Sequence, residues 1–133
     1  MTSIPQRTAI LALTWAGVSS ASAEIAAPDY YIEALFAVST AEQLANFCPE
    51  IAFDLSYANT RSNALLERLA GDGISGDALT VMAGIEEGVA KLQEAFVARH
   101  GLASPSGDVV CEVARSEIAE ASAVGAYLKD VDE

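Results

Sequence analysis

A chain of 133 residues, 52% hydrophobic and 7% aromatic, has material for one globular domain of ordinary size and excludes a second core. Its formal charge of −12 excludes a binder of nucleic acid or anionic lipid, because such a field repels polyanions. The acids are spread along the chain, as on solvated helix faces, and are not gathered into a disordered tail.

The first 23 residues read as a secretory signal peptide. Met1 to Arg7 ends in a positive charge, Ala9 to Val18 is apolar, and Ala21-Ser22-Ala23 supplies the small A-x-A pattern. The apolar run is about ten residues, half the roughly 20 a bilayer-spanning helix needs. Cleavage after Ala23, a periplasmic destination and no retained membrane anchor are therefore expected. Loss of Arg7 leaves six cations against nineteen acids, a mature charge of −13.

In residues 24–133, apolar spacing of three and four predicts a single all-α domain, a small bundle of about four helices. Helix one is expected over 29–47, with Tyr31, Leu35, Val38 and Leu44 inward, and Pro49 disfavours its continuation through Cys48. Thr40-Ala-Glu-Gln43 has the capping-box pattern, so a break near Ser39 is the alternative. Helix two is expected from Pro49, whose missing N–H costs nothing in a first turn. It carries Ile51, Leu55, Ala58, Ser62, Leu65 and Leu69 to a stop at Gly71.

The run Gly71-Asp-Gly-Ile-Ser-Gly76 is a turn by composition, and Ser75 or Asp77 can cap helix three. That helix is expected to reach His100, with Ala78, Met82, Ile85, Val89, Leu92 and Phe96 on one stripe and Gly101 as its stop. After a loop over 102–107, Asp108 is expected to cap a fourth helix reaching about Lys129. Its stripe of Cys111, Ala114, Ile118, Ala121, Gly125 and Leu128 is mostly small and permits close backbone approach, which places this helix centrally.

Cys48 and Cys111 are the two cysteines, and in an oxidising compartment only one intramolecular pairing exists. A bridge closing about 64 residues stabilises a fold by about 4 kcal/mol in the chain-entropy model. With no C-x-x-C and one histidine, no metal site is expected.

Glu112, Glu117 and Glu120 flank the small stripe, with Glu117 nearest to it. A partly buried Glu117 paired with Arg115 or another arginine is one reading, but the residue type favours a solvated acid. His100 would have to be the base of any catalytic triad; in the last turn of helix three it is expected instead as a cation favoured by the helix dipole. Gly84-Ile-Glu-Glu-Gly88 has GxxxG spacing but contains two charges, so close packing of soluble helices is expected there. Asp72 to Asp77 lacks the regular acids and closing Glu of a calcium loop. Phosphate-binding, dinucleotide and nucleophile-elbow signatures are absent, and no cofactor is expected.

The two cysteine neighbourhoods carry a resemblance. Leu35-Phe-Ala-Val38 is followed by Asn46-Phe-Cys-Pro49-Glu-Ile51, and Cys111-x3-Arg115-x-Glu117-Ile118 by Ser122-Ala123-x-Gly125-x-x-Leu128. This resembles a family of small exported alphaproteobacterial proteins catalogued as a domain of unknown function. The resemblance implies a signal peptide, helices and a Cys48–Cys111 pair. It marks Arg115, Glu117, Ser122 and Gly125 as a possible site and brings no catalytic role to them. Helix two, with only Arg61 and Arg68, departs from the more basic version associated with the family.

The leading expectation is a non-enzymatic periplasmic binding or interaction module, whose partner is an unknown envelope protein or a small apolar ligand. One version is an envelope-stress holdase, since protonating nineteen acids would loosen the helices and expose their apolar stripes. A small apolar-ligand carrier would need a cavity between helices, for which the stripe of helix four leaves room. An enzyme with a carboxylate site around Glu117 is the third class.

Overall fold

Helix α1 spans Asp29–Phe47, as its spacing predicts, and runs unbroken through Ser39 and Thr40. The computed structural model describes residues 24–132, so the signal-peptide expectation lies outside the described residues. The most buried face of α1 is small: Ala37, Thr40, Ala41 and Leu44 are buried, whereas Tyr31, Leu35 and Val38 are half-buried. Small side chains let neighbours come close. The third and fourth helices both pack on α1, which makes it the hub in place of the fourth helix.

Cys48 is extended, at φ −123° and ψ 103°, as its following proline requires. The chain does not re-enter a helix at Pro49. Ile51–Phe53 instead forms β2, antiparallel to β4 at Leu128–Asp130, with Ile51 opposite Asp130 and Phe53 opposite Leu128. Helix two is thereby corrected to α2, Leu55–Gly71. Asp54 caps it. Its carboxylate accepts from the Tyr57 N–H at 3.0 Å, and its own N–H donates to the Tyr127 carbonyl at 2.8 Å. Ladder hydrogen bonds from a segment far along the chain override the local helical period at Ile51.

Helix three is also shorter than expected. Gly76–Val81 is a 3₁₀ turn, and Met82–Ala83 forms β3, parallel to β1 at Ile25–Ala26. Gly84 lies at φ +83°, a left-handed conformation that glycine adopts cheaply, and α3 then spans Ile85–His100. Ser75 precedes the 3₁₀ turn and not the helix. Gly101 closes α3 in the left-handed region, as expected. Gly88 faces Ile32 of α1 so closely that a Cβ would press on its side chain, so one glycine of the GxxxG pair serves packing and the other a turn.

The fourth helix, α4, spans Gly107–Ala119, with Ser106 at its N-cap and Asp108 in its first turn. It stops well before Lys129. The Ala121 N–H bonds to the Ile118 carbonyl at 3.1 Å and the Ser122 N–H to the Glu117 carbonyl at 3.2 Å, a Schellman ending with Ala121 at φ +51°. The chain then folds back through a 3₁₀ turn at Gly125–Tyr127 into β4. Cys111, Ala114, Gly125 and Leu128 of the expected stripe are buried, Ile118 is half-buried, and Ala121 is exposed.

Cys48 and Cys111 are bonded, with Cα atoms 5.2 Å apart, and tie the end of α1 to the start of α4. Both are buried in a core that includes Ala41, Leu44, Phe96, Val113, Ala114 and Tyr127. The fold is therefore a disulfide-linked helical domain with two short two-stranded ladders among the described residues.

Candidate functional site

Glu117 is 1% exposed, in the last turn of α4. The expectation of a solvated acid is overturned, because α4 ends at Ala119 and the returning segment covers this side chain. Its two oxygens are shared out. The Nε2 of His100 lies 2.8 Å from Oε1 and 3.3 Å from the Arg99 Nε. An Arg99 guanidinium nitrogen lies 3.3 Å from the same oxygen. Oε2 accepts from the Ser122 hydroxyl, whose oxygen accepts in turn from the Gly125 N–H at 2.9 Å.

Gly125 is required by this arrangement, since a Cβ there would collide with the Glu117 carbonyl. Close backbone approach, expected between helices, occurs between α4 and its own continuation. His100 occupies the last turn of α3 as expected, but its side chain does not serve as a solvent-facing cap. It is 15% exposed, packs on the Phe96 ring with centroids 4.5 Å apart, and bonds across to α4. Nucleophilic catalysis needs the base at the nucleophile; here Ser122 and His100 bond to opposite oxygens of Glu117. The carboxylate ties three segments together, and the Ser122 hydroxyl meets its Oε2, not the His100 ring.

Ser122 also borders a cleft of about 600 Å³ between α1 and α2. Tyr30, Glu33, Ala34 and Ala37 recur at helical spacing on the α1 wall. Tyr57, Arg61, Ala64, Leu65 and Arg68 do the same on the α2 wall. The returning segment adds Ala121, Ser122 and Tyr127. The cleft exists because α2 stands off from α1 and is held near its ends. At one end Tyr57 meets the Tyr127 ring edge to face, with centroids 5.0 Å apart. At the other the Tyr30 hydroxyl donates to Asp72 at 2.6 Å, and the Arg68 guanidinium lies 3.8 Å from the centroid of the Tyr30 ring.

These contacts set the phenols. The hydrogen bond to Asp72 raises Tyr30 above its ordinary value, with the Asp72 charge acting in the same direction and Arg68 opposing. Burial raises Tyr127, and neighbouring Arg61 pulls the other way. Neither Arg61 nor Arg68 joins an ion pair among the described residues.

Arg115, the remaining residue of the family motif, is not brought to this site. It pairs with Glu50 on the surface. Cys48, Glu50 and Cys111 bring potential metal-ligating atoms within 4.8 Å of one another, but the two sulfurs are bonded to each other, so no thiolate is offered. A second hollow, of about 130 Å³, lies beside Leu44, Phe96 and Val110. Thr40 also borders it, and its Oγ1 is buried without a hydrogen-bond partner among the described residues.

The model of DUF5333, a family of unknown function, matches residues 23–129. The chain belongs to this family. The DUF5333 match spans both cysteines, the Glu117 constellation and both helical walls of the cleft. No curated protein and no solved structure matches the chain. No described helix of this DUF5333 chain is long and apolar enough to cross a membrane.

Sequence reasoning reached Glu117, Ser122 and Gly125 as motif members but missed Tyr57, Arg61, Arg68 and Tyr127 as walls of one cleft. A signal was present on helix two, where Tyr57, Arg61, Leu65 and Arg68 recur at steps of four and three beside the apolar stripe. What faces that second stripe is decided by the fold-back after Ala119, which has no counterpart in the periodicity.

Proposed function

We propose that this chain is an exported, non-enzymatic binding protein whose ligand occupies the cleft between α1 and α2. One observation carries the reading: a cleft of about 600 Å³, within the roughly 300 to 1,000 Å³ of small-molecule sites, walled by three tyrosines and two arginines outside any ion pair among the described residues. Export is supported by the pattern over residues 1–23 and by the Cys48–Cys111 bridge. A binding role is favoured over catalysis because the most built-up polar group, Glu117, is sealed from solvent and has its serine and histidine on opposite oxygens.

The lining refines the ligand. Phenols and guanidiniums alternate with alanines, which suits an amphipathic molecule better than a wholly apolar one. The apolar hollow beside Thr40, at about 130 Å³, falls below the range of such sites. Native mass spectrometry of protein purified from its own cell envelope tests the reading. Wild-type protein should carry a bound mass that Ala64→Trp, which fills the cleft from the exposed helix α2, abolishes without loss of helical circular dichroism. Absence of any bound mass from the wild type, or its retention by A64W, would overturn the assignment.

A further inference from the structure

We infer that the cleft selects a small organic anion with a flat apolar body, the anionic head being a carboxylate or phosphate gripped by Arg61 and Arg68. The inference rests on the cleft being the binding site and adds the chemistry of what enters it. The charge balance is the first argument. The mature chain has six cations against nineteen acids, yet the cleft walls carry two of those cations and one acid, Glu33, with Asp72 at one end bonded to Tyr30. A strongly acidic chain has concentrated positive charge where a ligand would sit, and a cation would meet both guanidiniums there.

The state of the two arginines is the second argument. Arg99 and Arg115 reach carboxylates, whereas Arg61 and Arg68 join no ion pair among the described residues. Arg68 lies over the Tyr30 ring, which holds its guanidinium without using its in-plane N–H fork. Arg61 lies about two turns away on the same face of α2, beside Tyr127. A carboxylate or phosphate is the partner whose geometry matches such forks.

The flat body follows from the rest of the wall. Tyr57 offers aromatic surface, with the buried Tyr127 ring packed behind it, and Ala34, Ala37 and Ala64 leave width between the helices. Tyr30 and Tyr127 hold their protons more tightly than an ordinary phenol, so neither adds negative charge to the cleft, although the Tyr30 proton is already given to Asp72.

Isothermal titration of the mature protein with benzoate and phenyl phosphate tests the class, with benzyl alcohol, benzylamine and acetate as controls. Benzoate, phenyl phosphate or both should bind more tightly than all three controls, and the better of the two identifies the head group. Arg61→Ala should weaken that probe about tenfold, the loss of one charge-assisted hydrogen bond, and Arg61→Lys should restore part of the affinity. Arg61 is exposed, so the variant should keep its helical circular dichroism; Arg68→Ala provides a second substitution with the same expectation. Benzyl alcohol or benzylamine binding as tightly as the anions would overturn the anion class. So would affinity unchanged in both arginine variants. Acetate matching benzoate would overturn the flat body. No probe binding at all would overturn the inference as well. A bound native mass sensitive to A64W would then show that the cleft still binds something else, and absence of that mass would remove the binding reading itself.

Discussion

Glu117 holds a carboxylate out of water with partners of unequal importance. His100 and Ser122 share its burial, whereas the Arg99 side chain is 65% exposed and adds a screened charge. Glu117→Ala should therefore destabilise the fold by about 3 kcal/mol, the usual cost of breaking a buried polar pair from one side. Glu117→Gln, which keeps the shape and one acceptor for Ser122, should cost about 1 kcal/mol. Arg99→Ala should cost under about 1 kcal/mol. Urea unfolding of the three variants checks the order, and an Arg99 effect larger than that of Glu117→Ala would show that the charge, not the buried bonds, holds the segment. Ala121 carries the opposite opportunity. It sits at φ +51° in the ending of α4, where a Cβ is strained, so Ala121→Gly should stabilise the protein by about 1 kcal/mol, read as a raised Tm. Tyr127 gives a pH dependence. Burial raises it above the ordinary 10.0, so the folded chain keeps a proton that the unfolded chain has released. That contribution to stability is whole below pH 10.0 and is lost as pH rises through the folded value. Alkaline unfolding of Tyr127→Phe should accordingly show a shallower loss of stability above pH 10.0 than the wild type.

At the scale of elements, α2 is the least embedded helix. Leu69 is its only buried residue, and Leu55 and Leu66 are 68% and 48% exposed. Contacts near its two ends position it, with Asp54 and Tyr57 at the first and Arg68 and Asp72 at the second. A helix held this way can open without unfolding the core, which suits the wall of a cleft that must admit a ligand. Hydrogen exchange should find α2 amides exchanging well before those of α1 and α4. Asp54→Ala should cost about 1 kcal/mol and accelerate exchange in α2 first. Uniform exchange across the helices would mean that α2 is locked to the core.

For the whole molecule, the Cys48–Cys111 bridge joins α1, the hub, to α4, which carries Glu117. It closes a long loop, so reduction should cost up to about 4 kcal/mol and lower the melting temperature by tens of degrees at most. Far-ultraviolet circular dichroism should remain helical below the new transition. Cys48→Ser and Cys111→Ser should each match the double variant, because either removes the same bond. A single variant markedly less stable than the double would expose a separate packing role for one sulfur.

The sequence by itself determined the helical class, the span of α1, the stop at Gly101 and the one possible cysteine pairing. Each of these rests on local chemistry: a three-and-four apolar period, a proline after Cys48, a glycine after His100, and two cysteines alone. Tertiary structure decided where α2 begins and α4 ends, because Ile51–Phe53 and Leu128–Asp130 exchange backbone hydrogen bonds across most of the chain. It decided the site as well. Glu117 reads as an ordinary acid until the chain reverses at Ala121 and brings Ser122 and Gly125 over it, and His100 reads as a cap until α3 is laid beside α4. The cleft follows from the same reversal, since Tyr127 reaches Tyr57 only once the chain has folded back, and no local pattern encodes which faces a returning segment will cover.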